Sequence, residues 1–160
     1  MGLEGRRLRR PPNMIRSGSR EAPHRRTAFV ARPAVILLSV GAVANYAVTV
    51  WHAYLAQKVN PAIPVAQTLE IAAIAGTLTT AGLALLWTRH LKIGSLVLIA
   101  VFVIGLVIGG AEHFVVAGPN NVFDVGASDW AAPFKISVWV LLAIEVVGLA
   151  AAGRLLAARA

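Results

Sequence analysis

The stretch IGSLVLIAVFVIGLVIGGAEHFVV, residues 93–116, decides the fold of this chain. It holds no charged residue before Glu112. A helix needs about 20 mostly apolar residues to cross the hydrocarbon core of a bilayer. Inside hydrocarbon the backbone must satisfy its own hydrogen bonds, which a helix does within one segment. The stretch therefore predicts a membrane-spanning α-helix.

Three further apolar stretches have the same character, and they predict spans at residues 33–56, 63–87 and 133–153. Pro33 suits a first helical turn, where its missing N–H costs nothing. The turn residues Gly118-Pro119-Asn120-Asn121 end the third span. The predicted fold class is all-α, an integral membrane four-helix bundle over residues 33–156.

Composition supports a membrane protein and excludes several chemistries. Of the 160 residues 58% are hydrophobic and only 14% are charged, against roughly 45–50% and 25% in soluble domains. The absence of cysteine excludes thiol catalysis, iron–sulfur clusters and thiolate zinc sites. Residues 1–32 are rich in Arg, Pro, Gly and Ser and predict a disordered basic tail.

The basic residues predict the orientation. Thirteen of the fifteen fall on one side of the predicted spans, and the other side holds only Lys58 and Lys135. The thirteen are Arg6, Arg7, Arg9, Arg10, Arg16, Arg20, Arg25, Arg26, Arg32, Arg89, Lys92, Arg154 and Arg159. Because basic residues favour the cytoplasmic side, both termini are predicted to be cytoplasmic. The net charge of +8 thus reflects topology, and no nucleic-acid partner is expected.

Polar side chains inside the spans form two predicted layers. Ionisable groups at a helix centre cost about 2.5–3.5 kcal/mol even on insertion scales, so each one suggests a function. At 1.5 Å per residue, one group lies about 5–10 Å below the outer surface and another near the midplane. The outer layer contains His52, Glu70, Glu112 and His113, and the midplane layer contains Asn45, Thr77 and Glu145.

Helical spacing predicts that these side chains face one another inside the bundle. Asn45 and His52 are seven residues apart on one face, and so are Glu70 and Thr77. Small residues accompany the polar stripes and mark helix-contact faces in membranes. The predicted packing glycines are Gly105, Gly109 and Gly148.

The outer layer suggests a metal or haem site. Imidazole and carboxylate groups suit iron, copper or zinc, and bundle cores host such sites. Adjacent Glu112 and His113 diverge by about 100° on a helix, which disfavours joint binding of one ion. Alternatively, His52 and His113 are axial ligands of a haem b. A metal ion and haem both remain open as the cofactor.

The midplane layer suggests proton-coupled transport, with Glu145 as a protonatable step beside Asn45 and Thr77. A structural interpretation is favoured over both functions: the polar groups hydrogen-bond to one another and hold the helices together. The expected function is then an accessory subunit or assembly factor rather than an enzyme. Its expected partners are the lipid bilayer and a homo-oligomer or larger membrane complex. High Ala, Val and Arg usage suggests a GC-rich bacterial genome. The expected location is then the bacterial cytoplasmic membrane.

Overall fold

The computed structural model describes the backbone of residues 24–157 and the side chains of residues 33–157. The helices are α1 (His24–Val59), α2 (Val65–Leu86), α3 (Leu91–Ile104) and α4 (Ala131–Ala157). Helix α3 continues as two π-helical segments, Gly105–Gly109 and Ala111–Val115. Across the described residues, the prediction of an all-helical chain with four long apolar helices is confirmed. Most of the tail predicted to be disordered, residues 1–23, lies outside them.

All four helices are long and apolar enough to cross a membrane. The candidate spans are Pro33–Val59, Val65–Leu86, Leu91–Val115 and Ala131–Ala157, each bound lying within four residues of its predicted position. Large apolar side chains are exposed along the bundle, as at Val40, Leu69 and Val107. Contiguous exposed apolar surface of this kind is typical of contact with hydrocarbon and rare in soluble monomers.

Helix α1 begins earlier than the sequence predicted. It starts at His24, so Pro33 lies inside the helix and not in its first turn. An internal proline removes one backbone hydrogen bond and crowds the carbonyl four residues before it. The helix nevertheless continues through Pro33, and the apolar span begins at that residue.

The helices form a square bundle in which each one packs against its neighbours in sequence. Helices α1 and α3 each contact α2 and α4, and α1 packs most extensively against α4. At one end the indole N–H of Trp87 donates to Ser39 Oγ at 2.9 Å, joining α2 to α1. We call this the terminal end, because α1 begins and α4 finishes there, and we call the opposite end, with residues 116–130, the loop end.

Two separate apolar cores close the two ends of the bundle. The core at the terminal end contains Leu38, Leu86, Leu98, Phe102 and Leu155. The core at the loop end contains Leu55, Ala56, Val122, Phe134 and Val138. Since neither core extends through the middle of the bundle, the space between them is left for the site described below.

Glycine permits a close contact between the backbones of α2 and α3. A Cβ atom added at Gly94 would overlap the backbone nitrogen of Leu86 and lie 2.7 Å from the carbonyl oxygen of Gly82. Both neighbours are backbone atoms, so the two helices approach without an intervening side chain. Small residues allow this kind of approach between membrane helices.

Candidate functional site

The candidate functional site is a partly open cavity of about 480 Å³ between the helices of the bundle. Small-molecule sites span roughly 300–1,000 Å³, so the space suits a ligand of modest size. Its apolar lining includes Ile71, Ile74, Leu78, Val101, Ile104 and Leu141. Its polar lining includes Asn45, Thr49, His52, Gln67, Thr68, Glu112, His113, Asn120 and Glu145. The cavity is therefore amphipathic, with a few polar groups set in a largely apolar wall.

Two imidazoles form the polar group nearest the loop end, and we call them the histidine pair. His52 of α1 and His113 of the second π-helical segment lie with ring centroids 4.8 Å apart, nearly perpendicular. The ring of Phe134 packs against both, at 5.1 Å from His52 and 5.7 Å from His113. His113 is buried, and His52 is partly buried. Aromatic packing thus fixes the position of both rings.

The loop between α3 and α4 holds His113 at two points. The Nδ1 atom of His113 lies 2.8 Å from the carbonyl oxygen of Asn120. The backbone N–H of Val122 donates to the carbonyl oxygen of His113 at 3.0 Å. A carbonyl oxygen only accepts hydrogen bonds, so His113 carries its hydrogen on Nδ1.

The ring N–H hydrogen of His52 is assigned to Nδ1 by a similar argument. Its Nδ1 atom lies 2.9 Å from Ser137 Oγ, and the Ser137 hydroxyl donates to the carbonyl oxygen of Phe134 at 2.7 Å. A hydroxyl has one hydrogen to donate, so Ser137 accepts from the Nδ1–H of His52. In the neutral rings both Nε2 atoms are then acceptors, and neither has a hydrogen-bond partner among residues 33–157.

A second polar group, which we call the central pair, lies deeper in the bundle. The contact between His52 and Ser137 sets the antiparallel register of α1 and α4. Seven residues back along α1 is Asn45, and eight residues on along α4 is Glu145, so both lie at one level about 10 Å from the histidine pair. Both residues are buried and both line the cavity.

The two members of the central pair have different surroundings. The Oδ1 atom of Asn45 is buried and has no hydrogen-bond partner in the described part of the chain. The Glu145 carboxyl group lies against Gly105, where a Cβ atom would collide with Oε1. Buried polar atoms without partners are uncommon in proteins and call for an explanation, such as a ligand or ordered water.

Helix α2 contributes differently from the prediction, because Glu70 and Thr77 face outward. Glu70 and Thr77 are exposed and do not line the cavity, and the Thr77 hydroxyl donates to the carbonyl oxygen of Ala73. The inward face instead follows Ala72, Ala75, Gly76, Thr79 and Gly82. Glu70 is two residues from Ala72, which places it about 200° around the helix. Small residues, not the polar ones, mark the contact face here.

The remaining predicted residues have separate surroundings. Glu112 is exposed and borders both the main cavity and a cleft of about 240 Å³ beside the loop. A Cβ atom at Gly148 would lie 2.5 Å from the Phe102 ring, so this glycine makes room for a buried aromatic side chain. At Gly109 the nearest atom to such a Cβ is 3.8 Å away, in His113 of the same span, so no neighbouring helix packs closely there.

The predicted metal or haem site does not fit this arrangement. Among residues 33–157 no group of three or more His, Asp or Glu side chains is placed to hold a metal ion. Glu70 faces away, as described above. Axial ligands require the haem plane between them, whereas His52 and His113 contact each other directly.

Ser137 and Asn120 are the site residues that sequence reasoning missed. Ser137 precedes Glu145 by eight residues and therefore shares its helix face, a spacing that the sequence does contain. Asn120 lies in an irregular loop, and its contribution is a backbone carbonyl group, which no side-chain pattern reveals. The sequence pattern therefore indicated Ser137 as a site residue, and it contained no indication of Asn120.

Comparison with known proteins adds no constraint on the site. No protein-family model, curated protein or solved structure matches the chain. The functional argument below therefore rests on the geometry of the cavity and on the chemistry of its polar groups.

Proposed function

We propose that the chain is a multi-pass membrane protein whose helix bundle binds one small amphiphilic molecule in the central cavity. The carrying observation is the pair of Nε2 atoms on His52 and His113, two residues that line the cavity: neither atom has a hydrogen-bond partner in the described part of the chain, and neither is among the fully buried unpartnered atoms there. A bundle in which polar residues serve packing alone pairs them with one another. Here two imidazole nitrogens keep unused hydrogen-bonding capacity on residues that line a space large enough for a ligand.

The apolar wall supports a lipophilic ligand over a water-soluble one. Ile74, Leu78 and Ile104 line the cavity between the histidine pair and the terminal-end core. Apolar surface buried against a ligand contributes roughly 25 cal/mol per Å². A ligand with an apolar chain and a polar head matches this division of the wall. This role differs from the structural role favoured from the sequence, in which the polar groups of an accessory subunit hydrogen-bond to one another.

The orientation proposed for the protein places both termini in the cytoplasm of a bacterial cell. The bundle supports a common side for the two termini, and the distribution of basic residues favours the cytoplasmic side. At the loop end Lys58 Nζ lies 5.2 Å from the Tyr54 ring and 5.8 Å from the Trp130 ring. Such aromatic clusters favour the headgroup region of a membrane.

Ligand content is the direct test of the binding proposal. The protein is purified in mild detergent, extracted with organic solvent and analysed by mass spectrometry for a lipophilic compound at about one molecule per chain. Ala75→Phe, which places a benzyl group in the cavity lining, is expected to lose most of that compound. Ala73→Phe on the exposed face of α2 is the matched control and should retain it. Equal content in both variants would contradict the proposal.

Labelling of single cysteines tests the orientation, because the chain contains no cysteine of its own. Ser128→Cys at the loop end should react with a membrane-impermeant maleimide on intact cells or spheroplasts. Thr88→Cys, between α2 and α3 at the terminal end, should react only after the membrane is opened. The reverse pattern would place the termini outside.

A further inference from the structure

The hydrogen positions on the histidine pair carry a second inference, which rests on the binding function proposed above. The Nδ1 atoms of His52 and His113 are committed to Ser137 and to the Asn120 carbonyl group. Their Nε2 atoms have no partner among residues 33–157 and are not among the buried unpartnered atoms of that range, so each keeps exposed surface on a residue that lines the cavity. The loop end of the cavity therefore presents two neighbouring acceptors.

We propose that the head group of the ligand is a neutral donor of two hydrogen bonds, of the vicinal diol or catechol class, received by Nε2 of His52 and Nε2 of His113. Ester, ether and ketone heads have only acceptors and leave both nitrogens unpaired. A single O–H group satisfies one nitrogen and leaves the other without a partner. Two adjacent hydroxyl groups satisfy both, on rings whose centroids are 4.8 Å apart.

A neutral head is favoured over an ammonium group by its surroundings. A charged group within a membrane span costs about 2.5–3.5 kcal/mol even on the lenient scales. The ring that packs against both imidazoles is that of Phe134, which carries no charge. Glu112 borders the cavity but is exposed. The two Nε2 atoms of the histidine pair carry no negative charge that would balance an ammonium group.

The cavity also sets where the apolar chain of the ligand lies. From the histidine pair the wall continues along Leu78 and Ile104 toward the central pair, about 10 Å deeper. A diol head at the loop end thus directs its chain along Leu78 and Ile104, and no hydrogen bond to Asn45 or Glu145 is required of it. The geometry matches a monoalkyl lipid whose head lies just below the membrane surface.

The test uses two probes that differ only in their donors, 1-O-dodecylglycerol and its 2,3-di-O-methyl ether. Titration of protein reconstituted in nanodiscs and labelled with ¹⁵N-histidine reports both the tautomer and the ligand contact. The resonances of His52 and His113 should show hydrogen on Nδ1 before addition. The diol should then shift both Nε2 resonances, and the dimethyl ether should bind about tenfold more weakly, as expected for two lost hydrogen bonds.

Two variants separate the hydrogen bonds from the shape of the cavity. His52→Phe and His113→Phe each keep a ring beside Phe134 and remove one acceptor. Each should reduce the preference for the diol over the ether while ether binding persists. His90→Phe, at the exposed turn between α2 and α3, is the matched control and should leave the preference unchanged.

The outcomes distinguish the inference from the function on which it rests. Equal binding of the diol and the ether, comparable binding of dodecylamine, or hydrogen on Nε2 in either ring would overturn the diol assignment. If these results accompany a stoichiometric lipophilic compound in the purified protein, the binding function stands and only the head-group class is wrong. If neither probe binds and no compound is extracted, both proposals fail.

Discussion

Replacing Gly94 by alanine tests the close backbone contact between α2 and α3. The new methyl group would overlap the backbone nitrogen of Leu86 and lie 2.7 Å from the carbonyl oxygen of Gly82. Side-chain rotation cannot relieve a clash with backbone atoms, so α2 and α3 must separate. The required shift is at least 0.7 Å, the difference between 2.7 Å and an ordinary contact of 3.4 Å.

The expected size of the effect follows from two opposing terms. Overpacking by one methylene group costs typically about 1–3 kcal/mol, and backbone neighbours favour the upper part of that range. Glycine to alanine inside a helix is otherwise favourable by about 1 kcal/mol. The net loss expected for Gly94→Ala is about 1–2 kcal/mol, which lowers the ratio of folded to unfolded protein by roughly 5–30-fold.

Unfolding by sodium dodecyl sulfate in mixed micelles, followed by tryptophan fluorescence, measures this loss. Gly41→Ala is the matched control, because it makes the same substitution in α1, where no side chain or neighbouring helix among the described residues lies within 4 Å of the new Cβ. That variant should be as stable as the parent or more stable by up to about 1 kcal/mol. If Gly94→Ala unfolds at the same detergent fraction as Gly41→Ala, the inferred contact between α2 and α3 is refuted.

Three further substitutions probe other contacts. Gly148→Ala should destabilise the protein by about 1–3 kcal/mol in the same assay, because its Cβ would lie 2.5 Å from the Phe102 ring; Phe102→Leu in the same chain should recover part of that loss, and strict additivity would argue against the contact. Trp87→Phe should cost about 0.5–1.5 kcal/mol by removing the indole bond to Ser39, and the loss should vanish in a Ser39→Ala background. Ser137→Ala removes the acceptor of an imidazole N–H and should cost about 1–3 kcal/mol; a ¹⁵N spectrum in which that ring keeps hydrogen wholly on Nδ1 would contradict the assigned network.

The helices themselves were predictable because the hydrocarbon core sets a minimum length for each apolar stretch. Spans predicted at 33–56 and 93–116 compare with Pro33–Val59 and Leu91–Val115 in the structure. The true start of α1 was not predictable from Pro33, because a proline is equally compatible with a first turn and with an interrupted helix. Composition thus located the apolar part of α1 and not its helical extension.

The site was predictable where depth and periodicity act together. Counting residues places His52 and His113 at one depth and Asn45 and Glu145 at another, and the structure brings each of these pairs to one level. The interpretation failed for Glu70, because a polar stripe near a membrane surface can face the headgroups as well as a bundle. On α2 the small residues were the better guide to the inner face.

The π-helical segments were outside the reach of pattern reasoning. An α-helix and a π-helix differ by one residue in their hydrogen-bond step, and the apolar run through residues 105–115 fits either. The bond from the Val116 N–H to the Ala111 carbonyl oxygen spans five residues and shows the wider turn. The loop beyond this turn folds back on His113, and a local sequence pattern does not reveal a tertiary contact of that kind.

The two π-helical segments also bear on how the length of this chain can vary. In an α-helix, deletion of one residue turns everything beyond it by about 100°, which would carry an inward side chain to the lipid face. A π turn already contains a surplus residue, so a deletion between Gly105 and Val115 can be absorbed by a return to α geometry. Homologous chains are therefore expected to tolerate a one-residue gap in this stretch, while α1 and α4 admit none. An alignment that forces equal length through this helix would pair His113 with the wrong residue of the homologous chain.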